Sequence, residues 1–278
     1  MMFKRITIIG LGLIGGSLGL AIKKQRLAQE VIGVSRRRST VVRALSRGVA
    51  DRVTLDAAKA VQGADLVILC APVLKIIDIA RDISGSLEEG AIVTDAGSTK
   101  KEIVKHIESI LPDKVHFVGS HPLAGSEKSG VIYSDGNLFD NSYCLVTRSS
   151  WTEKSALEKV KKFWRRIGMK VEVMSPDKHD MIISKLSHLP HASSAALSNA
   201  CSKAELRFAA GGFKDATRIS SSSPELWKDI FLTNRKNIIR GISELEKELS
   251  KIKSALKKNS GKELMKLLEK AKTVRDSI

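Results

Sequence analysis

Aromatic residues are scarce in this chain, at 4% of 278 positions. That argues against the stacked aromatic platforms on which proteins hold single-stranded nucleic acid. No zinc-finger or RRM signature is present either. Cysteine is scarcer still: Cys70, Cys144 and Cys201 lie far apart and form no C-x-x-C. This excludes a disulfide scaffold and a cysteine-based zinc site, and it fits a reducing, cytoplasmic compartment. Cys70, inside an apolar run, reads as a small core residue. Long apolar runs are missing too, with one ambiguous case. The uncharged stretch from Ile6 to Ile22 follows Lys4-Arg5 as a signal peptide would, but Gly10, Gly12, Gly15, Gly16 and Gly19 interrupt it. It lacks an A-x-A cleavage pattern and is short for a span, so neither leader nor membrane helix is expected.

What the chain has in excess is positive charge, a net +17. Residues 1–150 hold 20 Lys and Arg against 15 Asp and Glu, and residues 151–278 hold 27 against 15. A basic surface favours anionic partners, but the plainer reading is a solvated, lysine-rich surface, and no nucleic-acid or membrane partner is expected. The hydrophobic content of 42% suits a globular protein, and the length can hold two domains.

The interrupting glycines have a spacing of their own. Phe3 to Ile9 reads as a buried strand running into Gly10-Leu11-Gly12-Leu13-Ile14-Gly15, followed by a helix to about Lys24 and a second strand, Val31 to Val34. This is G-x-G-x-x-G between strand and helix, the pattern that lays a dinucleotide pyrophosphate on a helix N-terminus. An NAD site usually carries an acid at the end of the second strand to accept from the ribose 2′-hydroxyl. Here that end reads Ser35-Arg36-Arg37-Arg38-Ser39-Thr40, without an acid. Guanidinium and hydroxyl groups suit a 2′-phosphate. NADP is therefore the preferred cofactor and NAD remains possible, with Ser35, Arg36, Arg37 and Thr40 as contacts.

Three more short apolar runs end in suggestive turns. Leu66 to Cys70 ends at Ala71-Pro72, Ala91 to Asp95 at Ala96-Gly97-Ser98, and Val115 to Val118 at His121. In a parallel open sheet these ends share one edge, where ligands bind. Ala71 joins the cofactor candidates, and Ser98 and His121 are expected to face the same crevice. Thr99-Lys100-Lys101-Glu102 is a capping box, which makes Thr99 the helix cap and leaves Ser98 free. His121, followed by Pro122, is expected in an extended turn.

Tyr143 to Thr147 and Lys170 to Val173 read as the last strands, bracketing a helix through Val160 and Trp164. After Ser175-Pro176 the pattern is helical. The expected architecture is α/β: a Rossmann-type dinucleotide-binding domain over residues 1–174, then an all-helical domain over 175–278. His188 and His191 lie three apart around Pro190, and with no third ligand in sight a metal is not expected. Ser223-Pro224 starts a long helix that runs to Asn259-Ser260-Gly261, with apolar residues at alternating spacings of 4 and 3 from Ile238 to Leu256. A final helix repeats the pattern, and such seams suit a helical hairpin or a dimer interface.

Taken together, these motifs resemble the prephenate/arogenate dehydrogenase family of tyrosine biosynthesis. The likeness rests on Gly10 to Ser17, Asp95-Ala-Gly-Ser-Thr-Lys100, His121-Pro-Leu-Ala-Gly125, His179-Asp180, Ser187-His-Leu-Pro-His191 and Gly211-Gly-Phe-Lys-Asp-Ala-Thr-Arg218, with Trp227 beyond. It implies oxidative decarboxylation of prephenate or arogenate, His121 as the catalytic histidine, Ser98 assisting it and Arg218 binding a carboxylate. It also makes His191 a substrate-pocket residue and His188 a weaker one, with Ser126 and Glu127 as further candidates and a homodimer as the assembly. Two rivals stand beside it: a β-hydroxyacid-type dehydrogenase, whose usual lysine pattern is not seen here, and a non-catalytic NADP sensor that binds nucleic acid.

Overall fold

The computed structural model describes residues 1–126 and 128–278. The first part alternates strand and helix: β1 (Phe3–Ile9), α1 (Leu13–Lys24), β2 (Ala28–Val34), α2 (Arg38–Ser46), β3 (Arg52–Thr54), α3 (Ala57–Val61), β4 (Leu66–Leu69), α4 (Val73–Ile83), β5 (Ile92–Asp95), α5 (Lys101–Ile110) and β6 (His116–Val118). The six strands form one parallel sheet in the order β3-β2-β1-β4-β5-β6. That is the doubly wound dinucleotide-binding order, which opens a crevice where it reverses between β1 and β4. The strands read as unbroken apolar runs because helices cover both faces; all of β4 and β5 is buried. One core gathers Ile6, Ile8 and Leu18 with Phe163 and Trp164, and the other gathers Ile9, Val67 and Leu69 with Ile76 and Ile103.

A second sheet was not anticipated. It holds β7 (Ser120–Pro122), β8 (Tyr143–Thr147) and β9 (Lys170–Met174), with α6 (Lys154–Ile167) between the last two. β7 runs antiparallel to β8, and β8 parallel to β9. Gly119 alone separates β6 from β7, and a Cβ there would lie 2.5 Å from Thr147 Oγ1. Only glycine admits this close approach, so the chain can pass straight from one sheet to the other. His121 therefore sits inside a strand of the second sheet, not in a turn at the edge of the first.

The rest is helical: α7 (Pro176–Ile183), a π turn (Ser184–His188), α8 (Leu189–Asn199), α9 (Lys203–Leu206), α10 (Gly211–Thr217), α11 (Pro224–Thr233), α12 (Arg235–Lys257) and α13 (Gly261–Asp276). The long helix expected from Pro224 is broken at Asn234. This residue is buried, and its Nδ2 donates to the Asp180 carbonyl at 2.8 Å and meets His188 Nδ1 at 3.1 Å. The amide thus ties the break to α7 and to the π turn. α11 packs on α4, adding Ile230 to the second core, so the helices are docked on the sheet domain. α12 and α13 pair as a hairpin yet leave Leu249, Leu256, Met265 and Leu268 more than half exposed. No helix among the described residues is long and apolar enough to cross a membrane.

Asn234→Leu should remove one of two donors to the Asp180 carbonyl, which keeps Ser184 N, and should take from the buried His188 Nδ1 its Asn234 partner, at a cost of about 1–3 kcal/mol. Thermal unfolding should show this as a Tm roughly 2–10 °C lower; an unchanged Tm would mean that the break has another cause.

Candidate active site

The glycine loop behaves as its spacing implies. Gly10 has φ of +102°, and a Cβ there would lie 2.1 Å from the Cys70 carbonyl oxygen. A Cβ on Gly15 would lie 2.0 Å from the Gly10 carbonyl oxygen. These two glycines serve close packing, whereas Gly12 faces open space. Gly12 also begins α1 with no side-chain cap and no acid in the first turn, so its free N–H groups suit a phosphate. The loop lines a cavity of about 620 Å³ with Ser35, Arg36, Arg37, Thr40 and Ala71. Leu13, Ile14 and Gly15 are absent from its wall. Ile14 instead approaches the loop after β7, 4.0 Å from where a Gly125 Cβ would stand. Arg36 and Arg37 are exposed at the mouth, and the acids in the wall, Asp78 and Asp82, come from α4. The residues thus fit a dinucleotide.

A second cavity of about 830 Å³ lies between the sheet of β7 and the helices. Its wall includes His121, Ser126, Lys128, Tyr143, Arg218 and Trp227. Arg218 arrives from the turn after α10 and Ser126 from the loop after β7. Glu127 lies outside the described residues. His188 and His191 are absent from the wall: both are buried, and both rings pack on Trp227, His191 stacked at 3.6 Å. They support the wall and do not form it. Ser98 sits half-buried beyond β5 and makes no hydrogen bond to His121.

The His121 ring has a different partner. Its Nδ1 lies 2.9 Å from His179 Nε2, and His179 Nδ1 lies 2.7 Å from Asp180 Oδ1. Asp180 also accepts from the backbone N–H groups of Lys100 at 2.8 Å and Lys101 at 3.0 Å. It therefore caps α5 from outside, where Thr99 was expected to; Thr99 Oγ1 pairs with Thr233 instead, at 3.0 Å. The directions follow from the acceptor end. A carboxylate can only accept, so His179 donates from Nδ1 and accepts at Nε2. His121 must then donate from Nδ1, which leaves the lone pair of its Nε2 for the cavity. Burial, followed by the neighbouring His179, Lys100 and His188, holds the His121 pKa well below the usual range, so the ring is a neutral base.

Comparison with known proteins places these features in a family. Residues 18–173 match the nucleotide-binding domain of prephenate dehydrogenase, and residues 175–270 match its dimerization domain. Over 280 residues the chain is 37% identical to a prephenate dehydrogenase of Bacillus subtilis, covering 98% of this chain and 76% of the relative. A crystal structure of prephenate dehydrogenase from A. aeolicus, in complex with hydroxyphenyl propionate and NAD+, superimposes with a TM-score of 0.94 at 36% identity, over 100% of this chain and 99% of that one. The crystal structure of Synechocystis arogenate dehydrogenase gives 0.84 at 29% identity, over 98% and 99%.

The buried rings also tie stability to pH. Burial holds His179 down to about 2 and His188 to about 4, against about 6.5 in an unfolded chain. Below pH 6.5 the unfolded chain binds protons that the folded one refuses, so stability falls as pH falls. Each ring contributes up to about 1.4 kcal/mol per pH unit. His179→Gln should therefore lose less Tm between pH 6.5 and 5 than the wild type does in thermal unfolding. Parallel slopes would show that His179 is not held neutral.

Proposed function

The chain belongs to the prephenate dehydrogenase family, and we propose that His121 Nε2 is the base of its oxidative decarboxylation reaction. The reaction class is NAD(P)-dependent oxidation of prephenate or arogenate with loss of CO2, and this family match sets both rivals aside. The observation that carries the role of His121 is its directed hydrogen-bond chain to His179 and Asp180. A nicotinamide dinucleotide, held by the glycine loop and by Ser35, Arg36, Arg37 and Thr40, supplies the two-electron acceptor. The substrate is a cyclohexadiene with a ring carboxylate and a 4-hydroxyl. His121 takes the hydroxyl proton as C4 gives up its hydrogen together with the bonding pair. The ring carboxylate then leaves as CO2, its bonding pair enters the ring, and the phenolate so formed takes a proton back to become the phenol. Arg218, in the wall of the same cavity, grips a carboxylate, and a planar guanidinium can do so with two parallel bonds. Positioning and proton removal are the protein's share of the chemistry.

NADP is the preferred cofactor in this reading. The end of β2 offers guanidinium and hydroxyl groups where a carboxylate would repel a 2′-phosphate. Residues 1–174 are taken as the dinucleotide-binding domain and 175–278 as the helical one. A cytoplasmic homodimer is the proposed form, with the exposed apolar residues of α12 and α13 as a covering face for the second copy. Ser98 is retained as a substrate-side candidate on the strength of its place at the sheet edge, without a direct bond to His121.

His121→Asn should lower kcat by about 10²–10⁴ with little change in substrate affinity. A near-wild-type kcat in a cofactor-reduction assay with prephenate and arogenate would remove His121 from the mechanism. Arg36→Asp should raise the KM for NADP far more than that for NAD, and equal effects on both would sink the assignment of the 2′-phosphate site.

A further inference from the structure

Asp95 and Lys100 play no part in the reaction as described, yet both are wholly buried. Lys100 Nζ is ion-paired with Asp95 Oδ2 and donates to the Ser120 carbonyl at 2.8 Å. Asp95 Oδ1 accepts from Ser120 N at 3.0 Å, and Oδ2 accepts from Gly97 N at 2.9 Å. The Ser120 hydroxyl accepts from Trp164 Nε1 at 3.0 Å and meets Thr94 Oγ1 at 2.9 Å. Every polar atom of the residue before His121 is thus held by a side chain from the sheet domain. The backbone N–H of Lys100 donates to Asp180 Oδ1, the same oxygen that orients His179. Lys100 therefore touches both routes to the His121 ring: the strand that carries it and the carboxylate behind its partner.

An ion pair at zero exposure is expensive to desolvate, and apolar residues of similar volume often stabilise such a position equally well. Packing alone gives little account of it. We propose that the Asp95–Lys100 pair is the positioning element of His121: it fixes β7 through Ser120 and sets an ammonium beside the His121–His179 couple. The groups that face His121 are His179 from α7, His188 from the π turn, Cys144 from β8 and Lys100 from the turn before α5, with Lys128 and Arg218 in the shared cavity. Of those that press the ring toward its neutral form, Lys100 is the one ion-paired with a carboxylate, that of Asp95. This rests on His121 being the base, as proposed above.

The test uses the full chain and the double variant Lys100→Met/Asp95→Asn, which removes both charges so that neither member of the pair is left as a lone buried ion. The acidic limb of its kcat profile should move to higher pH by about half a unit or more. Its kcat at the optimum should fall about tenfold or more, since small misplacements of a reacting group are costly. The cofactor KM should stay within about twofold, because the glycine loop is untouched. An acidic limb that does not move, or a cofactor KM that rises in step with the loss of kcat, overturns the proposal. A second measurement needs no folded variant of the pair. Proton NMR titration of the wild type, assigned with His121→Asn, should find His121 titrating well below 6.5, and a titration at 6.5 or above overturns the proposal. That readout involves no substrate. A wild type that oxidises neither prephenate nor arogenate would defeat the functional reading and leave the titration to judge the positioning one.

Discussion

The carboxylate of Asp180 is where the two halves of this molecule meet. It accepts two backbone N–H groups from the first turn of α5 and one ring N–H from His179. A helix start leaves such donors without intrahelical partners and favours negative charge beside them. Here the missing acceptor is supplied by a residue about 80 positions further along the chain. Docking of the helices and orientation of the histidine pair are therefore one event. The carbonyl of the same residue is held by Asn234, so the break between α11 and α12 belongs to the same arrangement.

Seen from His121, the molecule supplies three things from three directions. The strand under it is clamped at Ser120, the ring behind it is directed by Asp180, and the cavity in front carries Lys128 and Arg218. Lys100 beside the imidazole opposes its protonation, and Lys128 and Arg218 make the cavity in front of the ring basic. The cavity of the glycine loop has its own basic rim, made by Arg36 and Arg37, so the two cavities carry separate cationic groups.

Some of this is legible in the sequence alone. The glycine loop, the first parallel strands and the acid-free end of β2 depend on short-range spacing, and they lie where that spacing implies. Other features misled because a local pattern had a competitor from afar. Thr99-x-x-Glu102 is a sound capping box in sequence, but Asp180 reaches the same N–H groups and Thr99 turns to Thr233. The apolar spacing after Asn234 is that of one continuous helix with the segment before it, but a buried amide with two tertiary partners interrupts it. His188 and His191 do share a face, as their spacing implies, yet Trp227 covers that face and keeps both out of the cavity wall.

By itself the sequence determined the elements whose physics is local: the turn that only Gly10 can make, the helix start left open at Gly12, and the basic rim after β2. It also held the residues of the histidine motif in order, because recognition of a motif needs no distances. Which nitrogen of His121 bears a proton, and what holds that ring, were decided by tertiary structure alone. The hydrogen bonds from His121 to His179 and from Lys100 to Asp180 join positions that are remote along the chain, and no periodicity or spacing records a contact of that kind.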